Sequence, residues 1–296
     1  MIPIKRYISA AAIIFAAAFY SAFVLNISDS DAQSSKKGIL LVAFGTSVSS
    51  AQISYQNIEK KVKAAFPDIP VRWAYTSYII RQKLAKQGKQ IDSVETALAK
   101  MMDDEFTHVA VQSLHTLPGE EFHALQRNAS AFGNMVEGFD RILVGDPLLV
   151  SEEGLTRVVD ALLTIIPKSR KKTEAVVFMG HGTHHPSNAF YAALMYYLQR
   201  KDPNVFIGTV DQSPEIDEIK EMLLNKKIKS AYLMPFMSVA GNHARNDMAG
   251  DDDESWKSIL QKAGIKCFAV LKGTAEYDEI VDIWVDHLKT VMSDLQ

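Results

Sequence analysis

The sequence predicts an α/β protein built as two similar, doubly wound, parallel-sheet (Rossmann-like) halves. Three observations carry that expectation. Short apolar runs alternate along the chain with amphipathic segments, the order that buries a parallel sheet between helices. The alternation begins again near residue 174, where "EAVVFMGHGT" echoes "GILLVAFGTS" of residues 38–47. Smaller details recur too: "VAVQSLHTLPGEEFHAL" and "AYLMPFMSVAGNHARND" are both apolar runs leading through a Gly-containing loop to a His-bearing segment. The composition suits such a fold: 296 residues, 47% hydrophobic and 23% charged, with a formal net charge of −3. That length fills one large or two medium α/β cores. A near-neutral balance without a basic block argues against a nucleic-acid partner.

Each element has its own signal. "GILLVAFGTS" is continuously apolar, as expected of a strand covered on both faces. In "AQISYQNIEKKVKAAF" (51–66) Ile53, Ile58, Val62, Ala65 and Phe66 recur at helical spacing. Then follow the strand "VRWAYTS", one helical region ending in "IDSVETALAKMMDDE", the strand "HVAVQSL", the helix "EEFHALQRNASAF", the strand "RILVGDP" and the helix "SEEGLTRVVDALLTII". The second set is "EAVVFMGHGT", "VFIGTV", the helix "EIDEIKEMLLNKK", "SAYLMPFMSV", a long helical segment through "DDDESWKSILQKAG", and "KCFAVL". "GTHHPSN" reads as a helix-entry loop with Ser187 or Asn188 as cap. The expected organisation is an N-terminal half over 36–168, a C-terminal half over 169–274 and a closing amphipathic helix over 275–296 that packs back on the body.

The first 35 residues read differently. Lys5 and Arg6 precede an uncharged apolar run from Tyr7 to Leu25, followed by the polar "NISDSDAQSSKK". Cationic start, apolar middle and small-residue exit make a secretory signal peptide, with Ser28, Ser30 and Ala32 as cleavage points. The competing expectation is an uncleaved anchor, since the run is almost long enough to span a bilayer. Either reading puts the folded part outside the cytoplasm, periplasmic or otherwise exported, and cleavage leaves no membrane partner. Cys267 is the single cysteine, so no intramolecular disulfide forms; it reads as a small buried hydrophobe.

No Walker-type loop and no GxGxxG follows either first strand, so no nucleotide cofactor is expected. In parallel α/β sheets, ligands bind outside the carboxyl ends of the strands. The polar residues there are Thr46, Ser47, Thr76, Ser77 and His115 in the first half, and His181, Thr183, His184, Asp211, Ser213, Ser238, Asn242 and His243 in the second. His181, Asp211 and His243 each follow a different apolar strand. Two imidazoles and a carboxylate from three strand ends make a divalent-metal set that leaves coordination positions open. Taken singly, a loop histidine is more often solvated or bonded to backbone. His184 and His185 read as surface or supporting residues, His108 and His287 as structural, and "MAGDDDES" as a solvated acidic face.

At these residues the chain resembles a known family. "LMPFMSVAGNHARNDMAGDDDESWKSIL", "MGHGTHHPSNAFY", "GTVDQSPEID", "LLVAFGTS" and "LHTLPGEEF" closely resemble the anaerobic-type cobalt chelatases of the CbiK family, class II tetrapyrrole chelatases, from about residue 38 onward. The resemblance implies two similar α/β domains of the chelatase type with the active site between them. It also implies ATP-independent insertion of Co²⁺ into sirohydrochlorin on the way to cobalamin. Carried over residue by residue, the family's metal-site histidines fall on His181 and His243. Its third residue, typically a glutamate, falls on Asp211, one methylene shorter, with Glu215 a poorer substitute. On this reading His181 contacts metal and accepts a proton, His243 is the opposing ligand, and Asp211 offsets the charge. Thr46, Ser47 and Arg245 are candidate substrate contacts, since sirohydrochlorin carries many carboxylates.

Export departs from the family's usual cytoplasmic place, so other readings stay open. One is the same chemistry with Fe²⁺, giving sirohaem, because a His/carboxylate site separates the two metals weakly. Another is an exported haem, tetrapyrrole or metal carrier on a chelatase fold. A second copy of the chain is also an expected partner. His123, near a helix start, is a candidate axial ligand for a bound haem, perched where subunits would meet; the bland reading is a solvent-facing helical histidine.

Overall fold

The structure, a computed structural model, describes residues 35–295; the leader lies outside the described residues. Every run read as a strand is one. The first sheet holds β1 (Lys37–Ala43), β2 (Val71–Tyr75), β3 (His108–Ser113) and β4 (Arg141–Gly145). The second holds β5 (Ala175–Gly180), β6 (Val205–Thr209), β7 (Ser230–Pro235) and β8 (Lys266–Ala269). The strand orders are β2-β1-β3-β4 and β6-β5-β7-β8, all parallel, so the two sheets share one topology. Central strands are buried on both faces: Ile39–Ala43 and all of β5 are shut off from solvent, which is why those runs lack alternation. In both sheets the chain reverses direction of winding between the first and third strands. That switch point is where a crevice opens at the strands' carboxyl ends.

The helices are α1 (Gln52–Ala65), α2 (Tyr78–Lys86), α3 (Val94–Asp103), α4 (Glu120–Gly133), α5 (Glu152–Ile165), α6 (Ala189–Lys201), α7 (Ile216–Asn225), α8 (Trp256–Lys262) and α9 (Asp278–Asp294). Three local expectations are corrected. The single helical region before residue 104 is two helices, because Gly88 turns out at φ 77° and Ser93 caps a new start, its Oγ accepting from Thr96 N–H at 3.2 Å. The long segment through the acidic run is likewise broken. A π-helical turn at Ala244–Met248 ends at Gly250, and Ser255 opens α8 by accepting from Ser258 N–H at 3.2 Å. A Cβ at Gly250 would lie 2.3 Å from the Asn246 carbonyl, so the chain cannot continue there as helix with any other residue. After β5, Asn188 stands at the N-cap position of α6, as expected, but its side chain turns back to accept from Thr183 N–H; the cap bond belongs to the preceding 3-10 turn, where His185 Nδ1 accepts from Ser187 N–H at 3.1 Å.

α9 packs against α1, α5, β3 and β4 of the first sheet's layer, with Trp284 and Leu288 buried in the shared core. Fully burying side chains of this size contributes about 1.5–3 kcal/mol each. Asp278 and Asp282 of α9 hold Lys61 of α1, and Arg157 of α5 meets Asp286 at 2.6 Å. The described residues from 37 onward form one compact unit. No helix among the described residues is long and apolar enough to cross a membrane.

Candidate active site

A cavity of about 550 Å³ opens at the carboxyl ends of both sheets. The first sheet contributes Phe44–Val48 after β1, Ser77, Ile79 and Ile80 around the start of α2, Lys83 one turn further along it, and Leu114–Leu117 after β3. The second contributes His181–His184 after β5, Asp211 after β6, and Phe236–Val239 with Gly241–His243 after β7. The wall is therefore assembled from both switch points, and the expected strand-end residues converge on it except Thr76 and Ser213, which lie off it.

His181 and His243 meet there. Their ring centroids are 4.7 Å apart, nearly perpendicular at 84°. Each ring is held by its Nδ1. That of His181 donates to the Gly182 carbonyl at 3.1 Å and lies 3.7 Å from Asp211 Oδ2. That of His243 donates to Asp247 Oδ2 at 2.5 Å. A carbonyl or carboxylate only accepts, so Nδ1 carries a proton in both rings, and the neutral tautomer compatible with these bonds has its lone pair on Nε2. Both rings are close to half exposed, open to a ligand rather than sealed in the core.

Glycine 182 makes this arrangement possible. Its φ is 86°, and an added Cβ would sit 1.6 Å from the Asp211 carbonyl oxygen. Only there can the turn after β5 lie directly against the turn after β6, where Asp211 N–H donates to the His181 carbonyl at 2.8 Å. Tyr191 of α6 packs under the same turn: a Cβ on Gly180 would touch its ring at 2.4 Å. Burial pushes the Tyr191 phenol up to about 12, so it stays protonated.

Among the described residues, no group of three or more His, Cys, Asp or Glu side chains is arranged to hold a metal ion as it stands. Asp211 Oδ2 lies 3.7 Å from His181 Nδ1. The expected three-residue set is thus brought together in space without forming a closed cage.

Other candidates divide. Thr46 and Ser47 line the cavity; Thr46 is buried and spends its Oγ1 on Val48 N–H at 3.2 Å, so it shapes the turn after β1. Arg245 is off the wall: its guanidinium donates to Ser50 Oγ at 2.9 Å, tying the two halves together. Glu215 caps α7 and is also absent from the wall. His123 lies in a neighbouring open depression with Glu120, Glu121, Arg127 and His185, its ring 5.2 Å from that of His185. Asp251 and Asp253 of the acidic run are exposed and pair with Lys257 and Lys262. His108 bonds Thr107 and His287 bonds the Asp146 carbonyl. Cys267 is half-buried, and desolvation pushes its thiol up to about 11.

Two residues escaped the sequence reading. Asp247 had a signal, the i, i+4 spacing from His243 on a helical turn. Lys83 had none, because only the packing of α2 beside the cavity gives it meaning. His115 lies on the wall after β3, with Nδ1 2.9 Å from Ser113 Oγ and Nε2 buried without a partner among the described residues. Desolvation lowers its pKa to about 4. Unfolding lets that ring bind a proton below its ordinary value near 6.5. Stability is therefore full above about pH 6.5 and is lost as pH falls toward 4, by roughly 2–3 kcal/mol at pH 4.5. Denaturant titrations at pH 7 and 4.5 should show this loss, and His115→Asn should lose less; equal losses in both proteins would remove the assignment.

The fold and the paired imidazoles define a class: a two-lobed α/β protein of the tetrapyrrole-chelatase type. Solved structures with this fold include SirB from Bacillus subtilis with Fe³⁺, at TM-score 0.58 and 17% identity over 88% of this chain and 96% of that one. SirB from Bacillus subtilis subspecies spizizenii in complex with cobalt is similar at TM-score 0.55 and 17% identity, over the same shares. The family model for cobalt chelatase (CbiK) matches residues 37–293. The sirohydrochlorin cobaltochelatase CbiKC of Nitratidesulfovibrio vulgaris (strain Hildenborough) is 47% identical over 260 residues, 88% of this chain and 92% of that protein. That of Salmonella typhimurium (strain LT2) is 35% identical, over 87% and 97%. The chain belongs to the CbiK cobalt chelatase family.

Proposed function

We propose that this protein is a sirohydrochlorin cobaltochelatase, inserting Co²⁺ into sirohydrochlorin without ATP and releasing two protons. The observation that carries the reading is the His181–His243 pair, two imidazoles with ring centroids 4.7 Å apart, each anchored through Nδ1, at the junction of two switch points. Such a pair takes a hydrated divalent cation from solvent, and the open positions allow the macrocycle nitrogens to replace water. Each pyrrole N–H that metallation displaces needs a base, and an imidazole released from the cation accepts a proton near neutral pH. His181 is assigned metal contact and proton acceptance, and His243 the opposing ligand. Asp211 supplies charge beside His181 and reaches the cation by side-chain rotation or through water. A site without a closed cage suits a metal that must be handed on.

Asp247 orients His243. Asp247→Ala should cut kcat about 10–100-fold with little change in the KM for sirohydrochlorin. Asp247→Asn, whose amide oxygen still accepts from Nδ1, should recover most of it. Equal losses in the two variants would assign Asp247 to structure alone. The test of the whole reading is anaerobic incubation with sirohydrochlorin and Co²⁺, followed by absorbance. Product at less than one per protein molecule would favour an exported tetrapyrrole or metal carrier. Parallel runs with Fe²⁺ decide the physiological metal.

Export through the N-terminal leader belongs to the same proposal, as does an assembly of several copies. So does haem at His123. There Nδ1 meets Gln126 Oε1 at 3.2 Å, which leaves Nε2 as the lone-pair nitrogen that iron requires. A Soret band in protein from haem-replete cells, lost in His123→Ala, would support it; no band would end it.

A further inference from the structure

Lys83 stands alone on the cavity wall. It is the one Lys or Arg among the lining residues, and among the described residues it makes no hydrogen bond or ion pair. Its neighbours are committed elsewhere: Arg81 of α2 donates to the Tyr75 and Thr76 carbonyls, and Lys100 of α3 holds Asp92. Beside Lys83 lies apolar surface that folding does not explain. Ile79 sits one helical turn before it on the same face of α2 and is 65% exposed; Phe44, after β1, is 47% exposed. Both line the cavity. Large apolar groups left open inside a concave site mark a ligand face. The carboxylates on the wall, Asp211 and Glu121, come from other segments, after β6 and at the start of α4.

We propose that Lys83, with Ile79 and Phe44 beneath it, anchors a peripheral carboxylate of the tetrapyrrole and sets which edge of the macrocycle enters the cavity. This rests on the substrate proposed above. The flat apolar ring lies on Ile79 and Phe44, while the ammonium, on its flexible stem, meets an anionic substituent at the rim. Asp211 repels that same anionic edge, so one orientation is favoured and the inner nitrogens face the imidazole pair.

Two measurements test it on the full protein. Metal-free sirohydrochlorin fluorescence gives the Kd with no insertion step, and Co²⁺ insertion gives kcat and both KM values. Lys83→Glu should weaken sirohydrochlorin binding about tenfold or more, and Lys83→Arg should keep it. The KM for Co²⁺ should stay within about twofold, because Lys83 does not touch the metal, while kcat in Lys83→Glu should fall along with binding, since a macrocycle held by the wrong edge does not face the imidazole pair. Added salt should raise the wild-type Kd more steeply than that of Lys83→Ala. An unchanged Kd in Lys83→Glu, or a loss confined to kcat, would overturn the anchor. Wild-type protein that binds sirohydrochlorin but never metallates it would refute the proposed reaction and leave the anchor to be judged by the Kd alone. Failure of the wild type to bind it would end both.

Discussion

Cobalt insertion should fall by about 10²–10⁴-fold in His181→Ala and again in His243→Ala, the range for removing a group that moves a proton or holds the reacting ion. Both side chains are close to half exposed and neither supports the core, so the variants should fold with an unchanged melting temperature. The double variant should be little worse than either single one, because the two rings act on one cation and their losses do not add. Asp211→Ala should lose less, since its carboxylate, 3.7 Å from His181 Nδ1, supplies charge beside that ring and is not the proton acceptor. The measurement is the initial rate of cobalt-sirohydrochlorin formation under anaerobic conditions. Wild-type rates in the double variant would refute the site.

Gly182→Ala should be the most damaging single-methyl change in the protein. The new Cβ would lie 1.6 Å from the Asp211 carbonyl oxygen, and a φ of 86° is strained for any side chain. The turns after β5 and β6 must part, breaking the 2.8 Å bond from Asp211 N–H to the His181 carbonyl. We expect a loss of about 2–4 kcal/mol of stability, read as a lower melting temperature. Activity should also drop to the level of His181→Ala, because the ring's anchor is the Gly182 carbonyl itself. Gly88→Ala is the control: it too has a positive φ, 77°, but nothing lies within 4 Å of the added carbon. It should cost only backbone strain and leave activity intact. Equal loss of activity in both would mean that strain, and not the contact between the two turns, is what matters.

Much of the fold was legible because each strand is a continuous apolar run closed by a turn, and a repeated order implies a repeated sheet. The runs at 38–43 and 175–180 could hardly be anything but buried central strands. Helix ends were less legible. The break at Gly88 and the cap at His185 depend on backbone angles and on a ring nitrogen accepting from Ser187 N–H, neither of which leaves a period in the sequence. The convergence of His181, Asp211 and His243 on one cavity was foreshadowed by their places after apolar strands. The placing of Arg245 off the wall was not, because proximity to His243 along the chain does not fix direction: its guanidinium donates to Ser50.

The amino-acid pattern alone determined the two parallel sheets, the strand ends where chemistry gathers and the family, since hydrophobic periodicity and long motifs are local properties of the chain. Tertiary structure decided the rest. It alone set the 4.7 Å approach of two imidazoles that are 62 positions apart, the tautomers imposed by Gly182 and Asp247, and the unpaired ammonium of Lys83 on the facing wall. Distances and hydrogen-bond partners across a cavity arise from how separate turns pack, and packing is settled only when the whole core closes.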